Sequence, residues 1–364
     1  MITDVDLKGL VLPLQEWFGK NARDLPWRRE PTPYHVWISE IMLQQTRVEA
    51  VKPYYARFLE TLPDLQALAE CPEDVYLKLW EGLGYYSRVR NLHAAALQVM
   101  QEYGGALPEA YEELLKLKGI GHYTAGAISS IAYGRRVPAV DGNVLRVLCR
   151  VTGDDTDIMK QSFRNQTESI LRDLMQEKEV EPRIFNQALM ELGAIVCLPN
   201  GEPHCGDCPW QKVCRARAED RIHELPVKKK AKERRIEERT ILILRDGERV
   251  AIRKRPAKGL LAGLYELPGH EGHLTEQETL AFVKQMGFSP LRITALPAAK
   301  HVFSHVEWHM IGYQLRIEES AFATEEQKAR AKAEGLIFVE AEEARQRYAI
   351  PSAFAAYSAR IMDQ

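Results

Sequence analysis

Four of the chain's six cysteines fall within one short stretch, CLPNGEPHCGDCPWQKVC (197–214). A disulfide cluster, a zinc ion and an iron–sulfur cluster each use thiols that closely spaced. The pattern is C-x7-C-x2-C-x5-C, so only Cys205 and Cys208 form a C-x2-C pair. A structural zinc site usually draws two such pairs from separate turns, whereas a single loop carrying four thiolates suits a cubane [4Fe–4S] cluster. The spacing favours iron and sulfide and leaves zinc open. Disulfides are the weakest choice, because the opening residues MITDVDLKGLVLPLQEWFGK mix acids and lysines among their apolar positions, unlike a signal peptide. No apolar run is long enough to cross a membrane. The expected compartment is the cytoplasm, where thiols stay reduced.

Two carboxylates have unusual surroundings. If YHVWISEIMLQQ is helical, Val36, Trp37 and Leu43 share a face with Glu40, so the acid projects from an apolar stripe. Burial there would raise its pKa and keep it protonated, ready to donate. A glutamate at the stripe's edge with its head in water fits the same pattern. Asp141, in VPAVDGNVLRVLCRV, precedes a helical run and suits an N-cap. It also follows LLKLKGIGHYTAGAISSIAYG (114–134), a helix, a Gly-x-Gly turn at Gly119 and Gly121, and a second helix. Such a turn can aim backbone N–H groups at a phosphate and hold DNA without reading its sequence, although αα-hairpins often turn on glycine for packing alone. A carboxylate beside a phosphate-gripping turn is oddly placed unless it meets positive charge.

These groups must be held by helices, because residues 5 to about 220 repeat apolar positions at three- and four-residue spacing. An all-α unit is expected over 1–222. A basic, nearly apolar-free linker follows at 223–239, where PVKKKAKERRIEER carries seven Lys/Arg against three Glu. Beyond it TILILRD, RVAIRKR, HVFSHVEWHMIGYQLRI and GLIFVEA read as strands, with TEQETLAFVKQMG helical, so 240–364 is expected to be a separate α+β domain. A length of 364 residues agrees with two domains. The net charge of −2 gives no general attraction to polyanions, so any nucleic-acid contact must come from local patches.

LKGIGHYTA, VDGNV, the cysteine loop and LPWR…SEIMLQQTRV…GLGYYSRVRN together resemble the MutY-type adenine DNA glycosylases of the helix-hairpin-helix superfamily. LLAGLYELPG and the FSH of HVFSHVEWH are similar to the family's MutT-like (Nudix-type) C-terminal domain. The resemblance implies a [4Fe–4S] cluster on Cys197, Cys205, Cys208 and Cys214, with a first cysteine gap one residue longer than is usual in the family. It implies excision of adenine mispaired with 8-oxoguanine from double-stranded DNA, by a monomer that leaves an abasic site. In that scheme Glu40 protonates the adenine and Asp141 faces the sugar cation, with Tyr123 and Asn143 supporting them. Arg23, Arg28 and Gln187 line the adenine pocket, Gln45 wedges into the vacated stack and Tyr85 inserts beside the lesion. Phe303, Ser304 and His305 read 8-oxoguanine. Strand-nicking relatives carry a lysine where Tyr123 stands, and a phenol cannot form their imine. The C-terminal domain lacks the acidic signature of metal-dependent MutT hydrolases and is expected to recognise rather than hydrolyse. The competing expectations are an endonuclease III-like lyase and a non-catalytic cluster-bearing DNA binder.

Overall fold

The computed structural model describes residues 6–228, 233–318, 331 and 335–362. It divides into two compact units, one of Met1–Cys71 with Ser87–Lys230, the other of Pro72–Tyr86 with Ala231–Gln364.

The first unit is helical. At its core lies the helix Gly142–Thr152, in which every residue from Val144 to Thr152 is buried. Asp141 caps it, accepting a hydrogen bond from the Val144 N–H at 2.8 Å. Gly153, at φ 68°, ends it in the left-handed conformation that side chains resist. The helices Val11–Asn21 and Pro182–Ile195 pack about it through Leu14, Phe18, Phe185, Leu189 and Leu192. Trp210 of the cysteine loop joins the same core, its indole donating to the Leu10 carbonyl at 2.9 Å. A second buried helix, Pro33–Leu43, starts on a Thr32 cap with proline at its first position. Apolar side chains surround it, and its buried residues run unbroken from Val36 to Met42, Glu40 included.

The hairpin forms where expected. Gly119 has φ 75°, and a Cβ there would lie 2.6 Å from Asn91 Cβ, so both conformation and space require glycine. Gly121 is different: its backbone is extended and open space surrounds the position of a Cβ. It caps the helix His122–Ala127, which continues into a π-helical turn at Ile128–Ala132.

The second unit is a mixed seven-stranded sheet in the order β3-β2-β1-β6-β5, with β4 paired to β1 and β7 to β2. The strands are β1 (Arg235–Asp246), β2 (Arg249–Lys254), β3 (Tyr265–Glu266), β4 (Gly269–Glu271), β5 (Pro290–Val302), β6 (Val306–Ile317) and β7 (Leu336–Glu340). Among the described residues only β1 and β6 run parallel. Ile241, Ile243, Trp308, Phe354 and Tyr357 fill one face, while Leu242, Leu244, Val283 and Leu315 fill the other. Both faces are therefore covered over the second half of β1, where 241–244 reads as a continuous apolar run rather than an alternating one.

Three features depart from the sequence expectations. The interval 223–239 is not linker throughout: Leu225 is buried in the helical core, the Ile158 N–H donates to the Val227 carbonyl at 3.2 Å, and Arg235 already pairs with Val306 in the sheet. Residues 229–232 lie outside the described residues. The strand β5 starts at Pro290, well before the run read as strand, because an edge strand with a bulge between Leu296 and Ala299 shows no alternation. Pro72–Tyr86, expected within the helical domain, groups instead with the sheet. Lys78 donates to the Tyr348 carbonyl at 3.0 Å and Glu81 accepts from the Ile350 N–H at 2.7 Å. Local periodicity carries no sign of partners so distant in sequence.

Candidate active site

A cavity of about 660 Å³ in the helical unit gathers Glu40, Asp141, Tyr123, Asn143, Arg23, Arg28, Gln45 and Gln187. Their elements are five: the short helix Pro26–Arg29 with its leading loop, the helix Pro33–Leu43 with the turn after it, the hairpin helix, and the helices Gly142–Thr152 and Pro182–Ile195. Gly193 allows the last two to meet, since a Cβ there would fall 2.5 Å from Asn143 Cβ.

Glu40 is 6% exposed and accepts a short hydrogen bond from the Tyr123 hydroxyl, whose oxygen also lies 3.2 Å from Met190 Sδ. Burial pushes its carboxyl up to about 7; the Tyr123 hydrogen bond and the Arg28 charge pull it down, while the Asp141 charge adds to the rise. Of the two placements the sequence allowed, the buried one holds. Asp141 is likewise raised by burial, but the Val144 N–H and the Asn143 amide, at 2.7 Å, stabilise its carboxylate. It is thus both helix cap and cavity residue. The two acids differ in their partners: one phenol for Glu40, two N–H donors for Asp141.

Two residues unnoticed in the sequence organise the cavity. Glu191, 1% exposed, accepts from the Arg23 backbone N–H at 2.9 Å and from both guanidinium groups, Arg23 at 2.8 Å and Arg28 at 2.9 Å. Burial alone would raise its pKa, but those bonds outweigh it and hold the carboxyl at about 2. Arg28 also donates to Gln187 at 3.1 Å. Arg146, buried in the central helix, donates to Asn143 Oδ1 at 2.8 Å, to the Gly193 carbonyl at 2.7 Å and to the Cys197 carbonyl at 2.9 Å. A hydrogen-bonded path therefore runs from Asp141 through Asn143 and Arg146 to the cysteine loop. A charged residue inside an otherwise apolar helical run was the available signal for both.

Gln45 and Tyr85 are exposed and take left-handed backbone conformations, at φ 59° and 47°. Such strain in non-glycine residues concentrates at functional sites. Arg88 fixes the turn before Gln45 by donating to the carbonyls of Ile41, Met42 and Gln44, at 2.8, 3.0 and 2.6 Å. Gly119 and Gly121 lie on the hairpin outside the cavity lining. Tyr85, Phe303, Ser304 and His305 belong to the second unit. There the last three form the turn between β5 and β6, with the Phe303 ring against Trp308 at 4.9 Å and the Tyr85 hydroxyl 2.9 Å from that of Ser304.

Cys197, Cys205, Cys208 and Cys214 line one cavity with Val147, Leu192 and Arg150. Arg150 donates to Cys197 Sγ at 3.3 Å and to the Leu198 carbonyl at 2.8 Å. Among the described residues no three His, Cys, Asp or Glu side chains converge on a point suited to a single metal ion. Four thiols around a shared apolar cavity fit a larger, thiolate-ligated group.

Known proteins resemble the chain along most of its length. The HhH-GPD superfamily of base excision DNA repair proteins matches residues 38–173, and the NUDIX domain matches 239–360. The adenine DNA glycosylase of Homo sapiens is 35% identical over 365 residues, an alignment spanning 84% of this chain and 66% of that protein. The enzyme of the same name from Buchnera aphidicola subsp. Baizongia pistaciae is 34% identical over 294 residues, with 79% and 80% covered. The solved structure of a thermostable thymine-DNA glycosylase superposes with a TM-score of 0.52 at 28% identity, over 58% of this chain and 96% of that one.

Proposed function

We propose that this chain, which belongs to the adenine DNA glycosylase family of the HhH-GPD base excision repair proteins, removes adenine paired with 8-oxoguanine and leaves an abasic site. The carrying observation is the pair of buried carboxyls in one cavity with unlike partners.

The target nucleotide must leave the stack, at a cost of a few kcal/mol that is smaller at a mismatch. Gln45 fills the gap, and the hairpin amides at Gly119 and Gly121 hold the strand by its phosphates. Adenine leaves readily only if it gains a proton as the C–N bond breaks. Glu40, protonated near neutral pH because it is buried, donates that proton, a contribution of about two to four orders of magnitude. Tyr123 orients the carboxyl through its hydroxyl. Asp141, whose carboxylate two N–H donors stabilise against the effect of burial, stabilises the oxocarbenium ion until water adds to the sugar. One neutral acid and one charged acid divide the work as in glycoside hydrolysis. The Arg23–Glu191–Arg28 cluster forms the rigid wall against which the base sits. At Tyr123 a phenol replaces the amine that a lyase would use, so the strand is left intact.

Tyr85 with the Phe303–Ser304–His305 turn reads the opposing 8-oxoguanine, where a hydroxyl can answer the lesion's altered edge. Cys197, Cys205, Cys208 and Cys214 would hold a [4Fe–4S] cluster in the cavity they line, and thiolate ligation there would fix the loop structurally. The protein acts as a monomer in the cytoplasm, associated with the nucleoid in a bacterial host. Among the described residues no helix is long and apolar enough to cross a membrane.

A duplex with adenine opposite 8-oxoguanine, assayed with and without alkali, tests this reading. Breaks that appear only after alkali support it. Spontaneous nicks would favour a lyase, and intact strands in both lanes a binder without catalysis.

A further inference from the structure

Apart from Tyr85, adenine excision makes no use of the segment Pro72–Tyr86, which belongs to the sheet unit. The helix Glu73–Leu79 opens it, and the fully buried Trp80 caps that helix while its indole donates to the Gly84 carbonyl at 3.1 Å. The turn that follows bends sharply: Gly82, Gly84 and Tyr85 have φ of 99°, 70° and 47°. The glycines take such angles without a Cβ to obstruct them. Tyr85 does not, and its backbone holds that conformation only because its surroundings impose it.

Two side chains fasten the start of this turn to backbone some 270 residues further along the chain. Glu81 accepts from the Ile350 N–H at 2.7 Å, Lys78 donates to the Tyr348 carbonyl at 3.0 Å, and the two side chains share a short ion pair. Both are largely shielded, with side-chain exposures of 27% and 22%. A backbone N–H given to a carboxylate makes a stronger bond than one given to a neutral acceptor. The gripped backbone is itself fixed: the Tyr265 N–H donates to the Ala349 carbonyl at 3.0 Å, and the Tyr265 and Tyr348 rings meet edge to face, 4.6 Å between centres. At the other end of the turn, the Tyr85 hydroxyl lies 2.9 Å from that of Ser304. Glu81 stands four residues before Tyr85, so the turn is pinned to the sheet unit on both sides.

Taking Tyr85 as the residue that stands beside 8-oxoguanine, as proposed above, we infer that Glu81 is a positioning residue for lesion discrimination. Its grip on Ile350 fixes the origin of the turn, so the strained Tyr85 ring is presented at one place relative to Ser304. With that grip released, the torsions at Gly82 and Gly84 are free to turn and the Tyr85 backbone relaxes out of its left-handed conformation. Glu81 touches neither the adenine nor the sugar, and its loss leaves the excision cavity intact.

Single-turnover base release by the full chain, from duplexes with adenine opposite 8-oxoguanine and opposite guanine, tests this role. The parent is expected to favour the 8-oxoguanine duplex. Glu81→Ala is expected to lower the ratio of the two rates about fivefold, the worth of one hydrogen bond, with the guanine-duplex rate unchanged. Glu81→Gln keeps an acceptor for the Ile350 N–H and is expected to restore most of the ratio. Glu81→Asp keeps the charge but draws it back by one methylene; the same fall in ratio is expected, and this variant carries the test if Glu81→Ala fails to fold. A parent without preference between the duplexes refutes the placement of Tyr85 beside the lesion, and the inference with it. Where the parent does discriminate, a ratio that Glu81→Ala and Glu81→Asp leave unchanged, or an equal fall on both duplexes, overturns the role of Glu81 alone.

Discussion

The hydroxyls of Tyr85 and Ser304 lie 2.9 Å apart although 219 residues separate them in sequence. Tyr85 holds a left-handed backbone conformation, which costs of order 1–3 kcal/mol and persists only where the surroundings impose it. The hydrogen bond ties the strained, exposed ring to the turn between β5 and β6.

Ser304→Ala removes that bond and, on the proposed reading, the hydroxyl that meets the lesion, worth about 1 kcal/mol, or roughly fivefold. The ratio of single-turnover rates for adenine opposite 8-oxoguanine and opposite guanine should fall by that factor, with the guanine-duplex rate unchanged. An equal fall on both duplexes would assign Ser304 a purely structural role.

Glu40→Gln keeps the size of the side chain and removes its acid. Base release in single turnover should slow by about two to four orders of magnitude while duplex affinity stays within a few-fold. The parent's rate should decline as pH rises through about 7, and that limb should vanish in the variant. A variant as fast as the parent would refute the general-acid role.

The same carboxyl destabilises the fold in alkali. The folded state keeps the Glu40 proton up to about 7, whereas an unfolded chain releases it near 4.5. The folded state therefore binds more protons between those values. The contribution of this group to stability is complete below about 4.5 and is lost as pH rises through 7, by on the order of 3 kcal/mol. Thermal melts at pH 8 should accordingly find Glu40→Gln more stable than the parent, and melts at pH 4 should find little difference.

Glu191 works in the opposite sense. Its carboxyl is held at about 2, so the stability it contributes is present above the usual carboxylate range and is lost as pH falls toward 2. Glu191→Gln strands two partly buried guanidinium groups and should destabilise the fold by about 3 kcal/mol, read from denaturant midpoints at pH 7. It also leaves the Arg28 charge, which lowers the Glu40 pKa, without its counterion. The alkaline limb of base release should move to lower pH.

Arg146→Lys replaces a fork that spans Asn143, Gly193 and Cys197 by a point charge. Asn143 is then less firmly held, and it supplies one of the two donors on Asp141. Base release should slow about tenfold, with duplex affinity nearly unchanged.

Much of the site was legible in the sequence. Asp141 sits before an apolar helical run and ahead of Gly153, so cap, helix and stop could all be placed from residue types, and the crowding of the four cysteines already marked out the loop that lines one cavity. Glu191 and Arg146 were hidden because their partners come from remote segments: Arg23 and Arg28 in one case, Gly193 and Cys197 in the other. The segment carrying Tyr85 reads as part of the helical domain for the same reason, since Lys78 and Glu81 find their partners near residue 350.

What the sequence determined by itself were the local elements, the chemical types available and their order along the chain, because capping, periodicity and ligand spacing act within a few residues. The tertiary structure decided which acids are buried and what each one meets. A carboxyl's protonation depends on the solvent excluded and the charges gathered around it, and those come from segments that only packing brings together.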